Sequence, residues 1–307
     1  MTDVPRSIVL HVGAHKTATT HLQHSLHGAR RLLVRNGIRF FGPMDLRQLG
    51  QRLEARFNLP FNPRKSVADL RPAPDVLAEM MGDGTRLVVS EENFIGTLFD
   101  KRYPGPLHNL PQPLYSDAQA RLAALTGAIA PQGGIEVCIG LRDPAGFLNS
   151  AYGLVMQAGS TVPLDRFKRR NPVPDIDWVD LVRRLAATPG VAHVTVWRYE
   201  DYRAVFAQVM AVLLGAGAPP VSPVAHRVNR GLSAAAVAFI QEHRAIATEG
   251  PLWHLARETY PVGPDHPPHD GFSPKEKAAS QKQYAAQWHA IGALPGVTRI
   301  RPATEQT

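Results

Sequence analysis

One cysteine, Cys138, is all that the 307 residues contain, so no internal disulfide can staple the fold. It lies inside an apolar stretch, which predicts a buried and inert thiol. No apolar run approaches the roughly 20 residues needed to cross a bilayer. The opening Met1-Thr2-Asp3-Val4-Pro5-Arg6 lacks the basic and apolar regions of a signal peptide, and a cytoplasmic location is expected. The net charge is +8, yet the positive residues are scattered and aromatics make up only 7%. Pairs such as Arg169-Arg170 and Arg183-Arg184 suit solvated helix faces, so no nucleic-acid partner is expected. Zinc-type ligand spacing is missing as well. His21, His24 and His27 recur every third residue, which lets only adjacent pairs converge, and no metal site is expected. Internal repeats and low-complexity tracts are absent.

The composition that remains, 44% hydrophobic and 20% charged, suits a globular protein large enough for one large or two ordinary domains. Its basic excess favours acidic ligands. The most informative segment is Ile8-Val9-Leu10-His11-Val12-Gly13-Ala14-His15-Lys16-Thr17-Ala18-Thr19-Thr20. An apolar strand enters a tight turn, then a lysine, then hydroxyl residues opening a helix. Backbone N–H groups at a helix start carry partial positive charge. The lysine adds a mobile cation and the threonines add donors, so a phosphate or sulfate is the natural guest. The ATP- or GTP-binding pattern Gly-x-x-x-x-Gly-Lys-Ser/Thr fits poorly, because Gly13 lies only three residues before Lys16 and His15 stands where that pattern needs glycine.

A second segment has the same design. Ile135 to Leu141 is an apolar strand, followed at once by Arg142-Asp143-Pro144 and a helix that Pro144 is suited to start. An arginine at a strand end can fork onto a phosphate dianion. Ser150, eight residues on, lies about two helical turns along and can donate to the same anion. A later strand, Val194 to Arg198, ends in Tyr199-Glu200-Asp201, where an aromatic ring could pack on a base. Arg227-Val228-Asn229-Arg230-Gly231 is a basic loop ahead of a helix capped by Ser233.

His15-Lys16-Thr17-Ala18-Thr19-Thr20 resembles the loop of sulfotransferases that holds the 5′-phosphosulfate of 3′-phosphoadenosine 5′-phosphosulfate (PAPS). The pattern Arg142, Pro144, Ser150, Tyr152 resembles the same family's 3′-phosphate site. Tyr199-Glu200-Asp201 resembles its adenine-proximal segment, and Arg227 to Gly231 loosely resembles the segment that closes over the 3′-phosphate. The resemblance covers residues 5–20, 86–93, 135–153 and 192–202. It implies PAPS as donor, 3′,5′-ADP as product, and a hydroxyl or amine acceptor in a glycan, lipid or small metabolite. It also implies nucleotide contacts from His15, Lys16, Thr17, Ala18, Thr19, Thr20, Arg142, Ser150, Tyr199, Arg227 and Arg230, with Lys16 stabilising charge on the leaving phosphate. Glu91 and Glu92, after the strand Arg86 to Ser90, are candidate bases, and His15, His11 and His108 are histidine alternatives. Two departures stand out. Ala18 replaces a common glycine, which is unstrained only at negative φ. His21 replaces the tryptophan of the cytosolic enzymes.

Strands alternating with helices predict an α/β fold with a central parallel sheet flanked by helices. The resemblance makes it a P-loop-like sulfotransferase fold with helical insertions and a helical C-terminal part. A single domain over 1–307 is expected, with a core at about 5–220 and a helical cap at about 221–295. A first helix is expected from Thr19 to about Arg35, with Leu22, Leu26, Ala29 and Leu33 facing the core. Residues 42 to 84, rich in proline and arginine, read as an irregular insertion with short helices. Two other activities fit a degenerate loop of this kind. One is an ATP-dependent phosphotransferase with Glu91 or Asp143 holding magnesium. The other is a nucleotide- or glycan-binding protein without catalysis. Oligomeric state is not legible.

Overall fold

The computed structural model describes residues 6–61, 71–99, 109–160, 162–225, 231–243 and 252–303. Six parallel strands build one sheet: β1 Ser7–His11, β2 Ile38–Phe41, β3 Arg86–Ser90, β4 Ile135–Leu141, β5 Val191–Arg198 and β6 Val297–Ile300, in the order β2-β3-β1-β4-β5-β6. Helices cover both faces, giving the expected α/β architecture. Central strands buried on both faces should be apolar throughout. β4 is so except at Glu136, which pairs with Arg86 at 3.2 Å: Val137, Ile139 and Leu141 enter one core cluster and Cys138 the other. The lone thiol is fully buried, and burial pushes its pKa far up.

The second core cluster shows why the first helix sits where it does. Leu22, Leu26 and Leu33 are buried against Val9, Val88 and Trp197, each contributing about 1.5–3 kcal/mol by leaving water. The expected single helix is two, Thr19–Gly28 and Arg30–Arg35, broken where Ala29 takes φ −87° and ψ 0°. Short helices Pro43–Leu46, Leu53–Arg56 and Ala73–Met81 occupy the insertion. β2 and β6 are strands that the sequence reading does not anticipate. Each has four residues, too few for a period-2 pattern to stand out. β6 follows the helix Pro274–Ile291, so the chain returns to the sheet after its helical part.

One consequence positions the site. In an all-parallel sheet every strand exit lies on one edge, where such folds bind ligands. β1 leaves between β3 and β4, at the point where the chain's path turns from one side of the sheet to the other. The segments after β1, β3, β4 and β5 therefore share that edge.

Candidate active site

The turn after β1 is laced to both neighbours. Val12 and Ala14 donate N–H bonds to the Cys138 and Gly140 carbonyls (3.0 and 3.2 Å), and Glu91 donates to the His11 carbonyl (3.1 Å). Gly13, Lys16 and Ala18 all have positive φ, at 37°, 67° and 64°. Ala18 thus departs from the negative φ that an unstrained alanine requires. Residues other than glycine lose about 1–2 kcal/mol in this region. Glycine there loses extra chain entropy worth about 0.5–1 kcal/mol. Ala18→Gly should therefore stabilise the fold by about 0.5–1 kcal/mol, read as a higher urea midpoint at unchanged m-value; a lower midpoint would mean that the Ala18 methyl packs better than its backbone strains.

The loop's groups fit an anion. A Cβ added at Gly13 would lie 2.8 Å from Thr19 Oγ1 and 3.3 Å from the His11 ring, so only glycine lets the turn pack against these side chains. Thr19 Oγ1 is buried with no hydrogen-bond partner among the described residues. The Lys16 ammonium likewise makes no hydrogen bond or ion pair among them, and burial, reinforced by Arg142 and opposed by Glu92, lowers its pKa. Thr17 differs. Its hydroxyl is buried and donates to the Ala14 carbonyl at 2.6 Å, so it shapes the loop. Thr20 turns to a neighbouring cavity on the flank of the same helix.

Arg142 leaves β4 toward this loop. Its guanidinium donates to the Lys16 carbonyl at 2.9 Å and lies 4.2 Å from the centre of the Tyr199 ring. A Cβ at Gly146 would come within 3.3 Å of Arg142 Nε, so the guanidinium covers that glycine. Ser150 is one helical turn further on the same face of the helix Pro144–Gln157. Lys16, Arg142, Tyr199 and Ser150 are thus gathered on one side of the edge. Asp143 caps this helix through Gly146 N–H (3.0 Å) and accepts from Ser280 (2.8 Å). Its own N–H donates to Glu200, whose pKa burial raises. Arg227 and Arg230 lie outside the described residues.

The acids after β3 lie on the other side of Lys16. Arg47, from the insertion, forks onto Glu91 (Nε to Oε2 2.9 Å, a terminal nitrogen to Oε1 2.7 Å) and also donates to Glu92 Oε1 at 2.7 Å. Glu91 further accepts the Asn93 N–H and so caps the turn Glu92–Ile95. Glu92 accepts from Gln23 Nε2 at 2.9 Å. Burial pushes the Glu92 carboxyl up, but the charge of Arg47 and the bonds from Arg47 and Gln23 together hold it below the usual carboxylate range. Glu92, unlike Glu91, is among the charges that act on Lys16. Arg47 and Gln23 are site residues that sequence reasoning missed. The only signal was an arginine-rich insertion and a helix position facing the sheet.

His15 has little freedom to act. Its N–H donates to the Tyr115 hydroxyl, that hydroxyl donates to Nδ1, and Nε2–H donates to Asn93 Oδ1 (2.9, 2.9 and 3.1 Å). Burial lowers its pKa, so it is a neutral strut. His11 is a core histidine, bonded to Ser90 at 2.8 Å and stacked on Trp197, and burial lowers its pKa to about 4. His21 bonds Tyr202 and the Val224 carbonyl. His108 lies outside the described residues.

No protein-family model matches the chain, and no curated protein matches its sequence. Among solved structures, the chain is similar to a sulfotransferase from Alicyclobacillus acidocaldarius. The two share 18% identity, the match covers 74% of this chain and 87% of that one, and the TM-score is 0.39. Overlap that loose leaves the chemistry to be read from this chain's own residues. Among the described residues no helix is long and apolar enough to cross a membrane.

Proposed function

We propose that this protein is a sulfotransferase that uses PAPS and a hydroxyl-bearing acceptor. The observation that carries the reading is the convergence of two cationic side chains from separate strand ends, with Arg142 bonded at 2.9 Å to the backbone of Lys16 itself. A nucleotide phosphorylated at both 3′ and 5′ positions needs two such groups a short distance apart. The orphaned Thr19 hydroxyl and the Lys16 side chain suit the 5′ end. Arg142 and Ser150 suit the 3′-phosphate, with Tyr199 beside them for the base.

Such a donor supplies a sulfuryl group: the acceptor oxygen bonds to sulfur as the sulfur–oxygen bond to the 5′-phosphate breaks, and the electron pair stays on that phosphate. Lys16 and the loop N–H groups stabilise the charge that develops there. We assign the acceptor's proton to Glu92, because its charge acts on Lys16 and it makes one bond to Arg47, where Glu91 makes two and also caps a turn. A lowered pKa keeps Glu92 ionised and ready at neutral pH.

The phosphotransferase alternative is less well served. The carboxylates that would hold its magnesium, Glu91 and Asp143, are engaged by Arg47 and by Ser280 with a helix N–H. A thermal-shift comparison tests the choice. 3′,5′-ADP should raise the Tm, by an amount equivalent to about 2.7 kcal/mol at a hundredfold excess over Kd, while ATP with magnesium should not. Arg142→Lys should weaken 3′,5′-ADP by tenfold or more, because an ammonium cannot fork onto a phosphate and hold the Lys16 carbonyl together. Stabilisation by ATP with magnesium alone would reverse the assignment.

A further inference from the structure

Two strained residues meet at His15. Lys16, its chain neighbour, has φ 67°, and Tyr115, whose ring stacks on the imidazole, has φ 54°. The left-handed region is uncommon for any side chain and an outlier for a bulky one. Such a conformation persists only where its surroundings over-determine it, and it collects at functional sites. The surroundings here are specific. Arg184, from the helix Trp178–Ala186, donates to the Tyr115 and Leu114 carbonyls at 2.9 and 2.6 Å and is held in turn by Asp180 at 2.7 Å. The fully buried Tyr115 is anchored by those bonds.

The Tyr115 hydroxyl accepts the His15 N–H, so its one proton goes to Nδ1, and the ring proton is left on Nε2 for Asn93 Oδ1. One tyrosine thus fixes both the backbone nitrogen and the imidazole of His15. One residue on, Arg142 fixes the Lys16 carbonyl. The chain from His15 N to Lys16 O is therefore pinned at both ends, and Lys16 spans the gap in the left-handed conformation. The sign of that φ decides on which side of the adjoining peptides the lysine side chain leaves the backbone.

We propose that His15 is a positioning residue: clamped by Tyr115 and Asn93, it holds Lys16 in the left-handed conformation that aims the ammonium at the anion. Without the clamp Lys16 relaxes toward negative φ and its ammonium turns away. The identity of that anion, the 5′-phosphate of the donor, rests on the sulfate-transfer reading; the effect on the backbone does not.

Tyr115→Phe tests the clamp, because it removes one oxygen and with it both bonds to His15. Amide NMR on the full chain reads the backbone. Wild-type Lys16 should show the strong intraresidue amide-to-Hα NOE of a positive φ, and Tyr115→Phe should weaken it. The ring nitrogen shifts of His15 should mark a proton on Nε2 in the wild type and mixed tautomers in the variant. Calorimetry reads the consequence. Tyr115→Phe and Lys16→Met should each weaken 3′,5′-ADP about tenfold, the scale of one hydrogen bond to a charged group. The double variant should lose no more than about twentyfold, because the second change removes what the first has already displaced. If Tyr115→Phe fails to fold, Asn93→Ala, at an exposed position, should weaken the same NOE and cost about threefold in 3′,5′-ADP affinity. The proposal is overturned if the positive-φ NOE survives the substitution, if the double variant loses the additive, roughly hundredfold amount, or if Lys16→Met leaves 3′,5′-ADP affinity unchanged. Failure of the wild-type chain to bind 3′,5′-ADP overturns the sulfate-transfer reading instead, and the NOE then decides the clamp by itself.

Discussion

Lys16→Met should lower kcat for sulfate transfer by at least about 10²–10³-fold, the scale on which removal of one charge-stabilising donor slows a reaction that builds negative charge. The same substitution should leave the unliganded protein as stable as before or more so. The lysine is half-buried, it lies near Arg142, and the attraction of Glu92 does not offset those two effects, which is why its pKa is lowered. A lysine whose folded pKa lies below its unfolded value binds fewer protons in the folded state, so stability rises with pH through that window. The wild-type protein should therefore gain stability as pH climbs through the depressed folded pKa toward the ordinary lysine range, and Lys16→Met should not. Urea unfolding at several alkaline pH values reads this directly. Loss of transfer together with a clear loss of stability would mean that the lysine is structural. Wild-type turnover in the variant would remove Lys16 from the chemistry.

What could be read in advance depended on how local each feature is. The strand, turn, lysine and hydroxyl order at Ile8 to Thr20 lies within thirteen residues, and the β4 exit at Leu141 to Pro144 within four. Both needed only the rule that a parallel sheet gathers its strand exits on one edge. The conformation of Ala18 was not legible, because φ 64° there is imposed by the lacing of the loop to β4 and by the Arg142 bond to Lys16, 126 residues away. His15 looked like a candidate base for the same reason: its ring is occupied by Tyr115 and Asn93, 100 and 78 residues distant. Glu91 and Glu92 were indistinguishable as neighbours in sequence. Their difference lies in Arg47, which bonds Glu91 twice and Glu92 once, and in the Glu92 charge, which alone of the two acts on Lys16.

That division of labour makes Arg47 the second large lever. Arg47→Met removes the cation and leaves two carboxylates with side chains only 9% and 13% exposed facing each other. Breaking a fully buried ion pair in this way costs about 3–5 kcal/mol. Arg47 itself is 40% exposed, so water takes over part of its role and about 2 kcal/mol is the expected loss at neutral pH. The pH dependence identifies the cause. In the wild-type protein Glu92 is held below its unfolded pKa, so its contribution is present above the normal carboxylate range and is lost as pH falls through the depressed folded value. Without Arg47, burial is left to raise that pKa above the unfolded one. The sign then reverses: the variant is penalised above the carboxylate range and recovers as pH falls into it. Urea midpoints of the two proteins should therefore converge as pH is lowered toward 4. The acidic limb of the activity profile should shift to higher pH at the same time, because a base with a raised pKa is protonated at higher pH. Adding Glu91→Gln to Arg47→Met should restore most of the stability, by neutralising the carboxylate that had the closest hold on the arginine, whereas adding Glu92→Gln should abolish transfer. Two proteins equally stable at neutral pH, or a gap that stays constant as pH falls, would mean that Arg47 does not neutralise this pair.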